Sequence, residues 1–211
     1  MPVPTTTDLT TYLAAMDLVP AAGINEQGII DGAIETFQQI TGRVNYQGAT
    51  TATENRFTLD YPFGRDVVLD FRFDFWAITE VRVGYTGVSG SGQVLTDWVD
   101  FEYLPQNNLV RGWPYEAIRF HSYASSERGS VLITGKIGVA QEMPQDVFNA
   151  ILAYSAAMVI RQSAGVSGSV SEQKQGDRTV KYNMTDGKDT VSELMKEFNQ
   201  VATKWKRGGY Q

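Results

Sequence analysis

The residues able to do chemistry are few. The 211-residue chain holds one histidine, His121, and no cysteine. One His without Cys builds no zinc site, and neither an HExxH helix nor an acidic calcium loop is present. His121 ends a stretch with apolar Ile118 and Phe120 and reads as a surface-facing strand residue. Asp66, Asp70 and Asp74 suggest a carboxylate cluster. Same-face strand positions are about 7 Å apart, however, and Arg72 falls between Asp70 and Asp74, so a solvated strand face is the expectation.

Glycine patterns fail in the same way. Gly87 to Gly92 does not match a dinucleotide fingerprint and precedes a strand rather than a helix. The spacing from Gly129 to Gly135 is one residue too long for a phosphate loop, and no Ser or Thr follows Lys136. Serines are plentiful, but there is no GxSxG elbow. The expectation is a protein that is not an enzyme and carries no metal or cofactor.

The elements that hold these residues come next. Leu9, Tyr12, Leu13 and Met16 behind Asp8 predict a helix over 8–17, and Ile29, Ile30, Ala33, Ile34, Phe37 and Ile40 predict another over 26–41 with Gly42 as its stop. Residues 45–55 read as polar loop. Leu69, Phe71, Phe73 and Phe75 alternate with Asp70, Arg72 and Asp74, which is strand periodicity. Further strands are expected at Ile78–Tyr85, Asp97–Tyr103, Tyr115–His121 and Ser130–Val139. Pro144 and Asp146 suit the first turn of a long helix ended by Gly165. Its apolar residues cover more than one face, so its own fold or a neighbouring subunit must bury it. Thr190 and Glu193 form a capping box before a stripe of Val191, Leu194, Met195, Phe198, Val201, Ala202 and Trp205, with Lys204, Lys206 and Arg207 at the end.

These elements predict an α+β fold: a small helical bundle (helices about 8–17, 26–41, 144–164 and 190–207) with an inserted antiparallel β-sheet over about 57–139. The expected division is a body over 1–165, a flexible arm over 166–189 and a C-terminal helix over 190–211. The arm is rich in Gly, Ser and charge, with one alternating patch, Val180, Tyr182 and Met184.

Composition bounds what such a chain can be. The length fits one domain, with or without a large insertion, and can bury roughly 70% of the unfolded surface. Hydrophobic residues make up 42% and charged ones 20%, an ordinary globular balance. The lack of cysteine fits a reducing cytoplasm or an assembly built there. The segment MPVPTTTDLTTYL lacks the features of a secretory signal, and the apolar run Ala150–Ile160 falls short of the ~20 residues that span a bilayer. A protein without a membrane role is expected. The net charge of −6 divides into −9 over residues 1–160 and +3 over 161–211. An acidic body repels polyanions while the basic end suits an acidic partner, although plain solvated surface reads equally well.

The helix IIDGAIETFQQITGR, aromatic strands, GKIGVAQEMPQDVFNAILAYSAAMVI, a loop with SEQKQGDRTVKYN and a last amphipathic helix follow one another in an order that resembles the head–tail connector (adaptor) proteins of tailed bacteriophages. Its most telling pieces are Gly42–Arg43, Pro144–Gln145–Asp146, and Gly176–Asp177–Arg178 before a Val–x–Tyr strand. The strand region is larger than that family's usual compact insertion.

The resemblance implies a virion protein at the head–tail interface, assembled in the host cytoplasm. It implies a closed ring of about a dozen copies, a head-to-tail cyclic arrangement. The ring would sit beneath the portal and extend the DNA channel, touching DNA without specific binding. Its partners would be the portal protein and the next tail component, a stopper, tail terminator or tail tube. Portal docking would fall to Val191, Leu194, Met195, Phe198, Val201, Lys204, Trp205, Lys206 and Arg207, unless that helix packs on its own bundle. Asp177, Arg178, Val180, Tyr182 and Met184 would contact a neighbouring subunit or the tail. The alternative is a β-sandwich binding module for carbohydrate or a host surface in a tail or baseplate, using Trp98, Trp113 and nearby tyrosines.

Overall fold

The computed structural model describes residues 2–62, 67–84, 91–106, 112–121, 128–166, 172–175, 178–181 and 184–207. Asp66, most of the Gly87–Gly92 run, Gly176, Asp177 and Tyr182 lie outside them. The chain divides into two compact units, residues 1–42 with 144–206, and residues 43–143 with 207–211.

The first unit is helical. α1 (Thr6–Ala14) opens with a capping box in which Thr5 and Asp8 satisfy each other's backbone N–H. α2 (Glu26–Thr41) stops at Gly42, whose left-handed φ of 67° lets its N–H reach the Gln38 carbonyl. α3 (Gln145–Val166) runs through Gly165 rather than stopping there. α4 (Met184–Lys204) begins before Thr190, so the Thr190–Glu193 pair lies inside the helix and not at its start.

α3 packs against the other three helices. Val147, Phe148, Ala150, Ile151, Leu152, Ala153, Ala156, Ala157 and Val159 are all buried. The excess apolar coverage read in the sequence is therefore used within this unit. Between α3 and α4 a two-stranded hairpin, β7 (Glu172–Gln175) and β8 (Arg178–Lys181), pairs Gln173 with Val180. The strand expected in the arm thus has a partner in its own chain.

The second unit is a six-stranded sheet of β1 (Thr53–Pro62), β2 (Val68–Val83), β3 (Gln93–Val94), β4 (Phe101–Leu104), β5 (Tyr115–Phe120) and β6 (Arg128–Ile137), in the order β1-β6-β2-β5-β4 with β3 on β2. Every pairing is antiparallel. Phe57, Leu69, Phe71, Phe75, Phe101, Ile118, Phe120 and Ile133 form its apolar core.

This corrects the expected fold class of a small helical bundle with an inserted sheet. The sheet is the dominant element, and four helices accompany it. Two strands expected separately are one 16-residue β2, and β1 includes polar residues read as loop. Tertiary pairing overrides local propensity here, because a polar segment becomes a strand once a neighbour satisfies its backbone. The described strands form one large sheet and a hairpin, so the two-sheet sandwich of the alternative reading is not what they build.

Gly138 has φ of 130°, and a Cβ there would lie 2.4 Å from the Gly48 Cα. Its own N–H bonds the Asp74 carbonyl at 2.9 Å. Gly138→Ala is expected to lower unfolding free energy by about 2–4 kcal/mol through backbone strain and overpacking, as read by urea denaturation.

Candidate functional site

The apolar stripe of α4 is built from positions three and four apart. Val191, Leu194, Phe198 and Trp205 are buried within the helical unit, and Met195 and Val201 are half-buried. The Phe198 ring meets Phe37 edge-on at 5.4 Å and Tyr154 at 4.6 Å. One carboxylate fixes the end of the helix: Asp146 Oδ2 accepts from Lys204 Nζ at 2.6 Å and from Trp205 Nε1 at 3.0 Å. Burial pushes the Asp146 carboxyl up, but the Lys204 and Trp205 hydrogen bonds outweigh it and hold the carboxyl below its ordinary value. The stripe expected to dock is thus engaged inside the unit. Lys204 and Lys206 are the outward-facing basic members of that set.

Arg207 belongs to a different arrangement, in the sheet unit. Its Nη2 donates to Asp70 Oδ1 at 2.8 Å, to the Glu116 carbonyl at 3.2 Å and to the Phe71 carbonyl. Its Nε lies 4.0 Å from Asp74 Oδ1. Arg43, directly after the Gly42 stop, is buried in the same place: Nη1 is 3.0 Å from Asp74 Oδ2, and Nη2 donates to Glu116 Oε1. Arg43, Asp74 and Glu116 are 3%, 1% and 2% exposed.

Asp74 therefore does not lie on a solvated strand face. β2 carries an irregularity between Asp70 and Phe75, where the four residues 71–74 of β2 stand against the single residue Glu116 of β5, and this breaks the two-residue alternation. Burial raises the Asp74 carboxyl above its ordinary value, against the pull of Arg43 and Arg207. Two opposite effects act on Arg43 as well: burial disfavours its charge, while Asp74 and Glu116 favour it and raise it overall.

His121 is partly exposed at the end of β5, with Nε2 3.8 Å from Glu102 Oε2. Glu102 is buried and accepts from Arg119 Nη1 at 2.7 Å and Gln106 Nε2 at 2.6 Å. Glu102 thus gathers Arg119, Gln106 and His121 around one carboxylate, the geometry of a structural polar network. In the arm, Arg178 and Val180 lie in β8 and Met184 opens α4.

The sequence does not mark Arg43 as a buried cation, whereas Trp98, expected to be exposed, is 61% exposed on a turn. An arginine directly after a helix-stopping glycine carries no burial signal by itself.

No protein-family model matches the chain, and no curated protein does. Among solved structures, the chain is similar over 100% of its length to 95% of a chain from the "Neck of empty GTA particle computed with C6 symmetry", with 13% sequence identity and a TM-score of 0.43.

Removing Arg43 alone would leave Asp74 and Glu116 buried near the single cation Arg207. Arg43→Met is expected to cost about 3–5 kcal/mol near neutral pH. Asp74, already raised by burial, would lose its main opposing charge, so the folded state binds more protons than the unfolded one and loses stability as pH rises. The deficit should be smaller at pH 5 than at pH 8 in urea denaturation. A pH-independent deficit would contradict this.

Proposed function

We propose that the protein is a structural subunit of a ring at the head–tail junction of a tailed phage or phage-like particle. The carrying observation is where the residues behind the resemblance fall. Gly42 is the left-handed stop of α2, and Arg43 is buried with Asp74 and Glu116. Pro144–Gln145–Asp146 opens α3, and Asp146 holds Lys204 and Trp205. Arg178 and Val180 lie in the hairpin that leads to α4. All three pieces sit at joints of the fold. The role is structural rather than enzymatic and needs no cofactor.

In this reading the ring contacts the portal on one side and the next tail component on the other, with DNA passing through. The −9 balance of residues 1–160 suits a channel that does not grip phosphate. The hairpin β7–β8 is the proposed tail-side or intersubunit contact. A two-stranded hairpin is marginally stable alone and gains from an added strand.

Electron microscopy of particles, or of the protein mixed with portal, should show a rotationally symmetric collar. A protein absent from particles and monomeric with portal present would overturn the proposal. Amide exchange over 172–181 should slow on assembly, and unchanged exchange would remove the hairpin from the interface.

A further inference from the structure

The sheet unit presents an apolar knob that its own core does not use. Val94, Trp98 and Val99 are exposed within six residues, Trp98 to 61% and Val99 to 63%. Solvent does not favour a tryptophan and a valine side by side at a turn tip. The turn is also firmly braced. Thr96 N–H bonds Asp100 Oδ2 at 2.8 Å, Asp100 N–H returns to the Thr96 carbonyl at 2.9 Å, and Trp98 N–H reaches the Phe101 carbonyl at 2.8 Å. The Asp100 carbonyl in turn accepts from His121 N–H at 2.7 Å, and Leu95 beside the knob is buried and bonded to the Val81 carbonyl.

Trp98 itself has φ of 62°, a left-handed conformation that a bulky residue rarely adopts. A strained backbone held in place by its surroundings marks a position under functional demand. A preorganised aromatic anchor loses little entropy on binding. Two carboxylates, Asp97 and Asp100, flank Trp98 and Val99 in the sequence.

We infer that the Trp98–Val99 knob docks on the C-terminal end of α4 in a second copy of this chain, beside Lys206. Charge selects the occupant. The acidic turn needs a basic surface, and this chain carries one: residues 161–211 hold +3 against −9 for the rest. At the end of α4, Lys204 is engaged by Asp146. Lys206 is exposed and has no carboxylate partner among the described residues. The helix end is the negative pole of its dipole, where an exposed cation such as Lys206 is favoured. A knob on one copy and a receptor on another generate the head-to-tail contact that closes rings.

This inference rests on the ring reading, since one turn buries far less than the ~800 Å² per partner of a lone stable dimer. The contact acts as an anchor within a larger assembly.

The test is self-association of the full chain by analytical ultracentrifugation, with portal-bearing heads as a second readout. Trp98→Asn keeps the left-handed backbone accessible and should leave Tm unchanged while weakening subunit association about thirtyfold. Asp97→Lys and Lys206→Glu should each weaken association alone, and mixing the two variants should restore it, because each interface then pairs opposite charges. Rings that persist unchanged in Trp98→Asn overturn the knob while leaving the ring reading intact. Failure of the mixture to recover overturns the second copy as occupant. So do intact Trp98→Asn rings that no longer join heads, which would place the knob on another protein. A wild-type chain that stays monomeric with and without heads overturns the ring reading and this inference together.

Discussion

The sheet unit is organised around the desolvation of Arg43. A buried guanidinium is tolerated only with its charge and donors matched, and a buried pair returns little net stability even then. Its value is in fixing one arrangement. Asp74 must turn inward to meet Arg43, and β2 breaks its alternation to let it. Across that irregularity β2 stays with β5, Val68–Asp70 on one side and Phe75 on the other, and its pairing with β6 begins at Phe75. Gly138 follows β6 and donates to the Asp74 carbonyl in a conformation open only to glycine. Glu116 on β5 supplies the second carboxylate, and Arg207 ties the returning chain to β2 and β5. One buried cation thus holds Asp74 and Glu116 together, and with them the local course of β2 and β5.

Asp146 does similar work on the helical side at lower cost. It lies in the first turn of α3, where the helix dipole favours an anion, and it receives Lys204 from the last turn of α4, where the dipole favours a cation. The same oxygen satisfies the indole N–H of buried Trp205. Because Asp146 stays partly exposed, this pairing avoids the full desolvation penalty that Arg43 incurs.

The helices were largely legible because their signals are local. The α2 stripe and its Gly42 stop, the Pro144 start and the α4 stripe all sit at fixed spacings. The start of α4 was misread because the Thr190–Glu193 pair has the pattern of a capping box, whereas the helix already runs from Met184. The dominance of the sheet was not legible. β1 contains Thr53, Glu54, Asn55, Arg56 and Thr58, and a polar edge strand lacks clean alternation. Asp74 looked solvated because alternation was extended through a point where the strand is irregular. Phe75, Trp76 and Ala77 in succession were the available warning that period two had ended. Arg207 read as part of a basic tail since nothing nearby in sequence shows that Asp70 and the Phe71 and Glu116 carbonyls converge on it.

The burial of α3 changes how assembly must work. A helix apolar on most sides would have offered a broad greasy face for a neighbouring copy, but α1, α2 and α4 already cover it. The stripe of α4 is spent in the same way. Among the described residues, large apolar side chains are exposed singly or in the small group around Trp98. No broad apolar face is left waiting for a partner among the described residues. An association of copies, as proposed above, would then depend on charge pattern and a few anchors rather than on shared hydrophobic area. The proposed ring would accordingly be sensitive to salt, since exposed charges are screened over about 8 Å at physiological ionic strength.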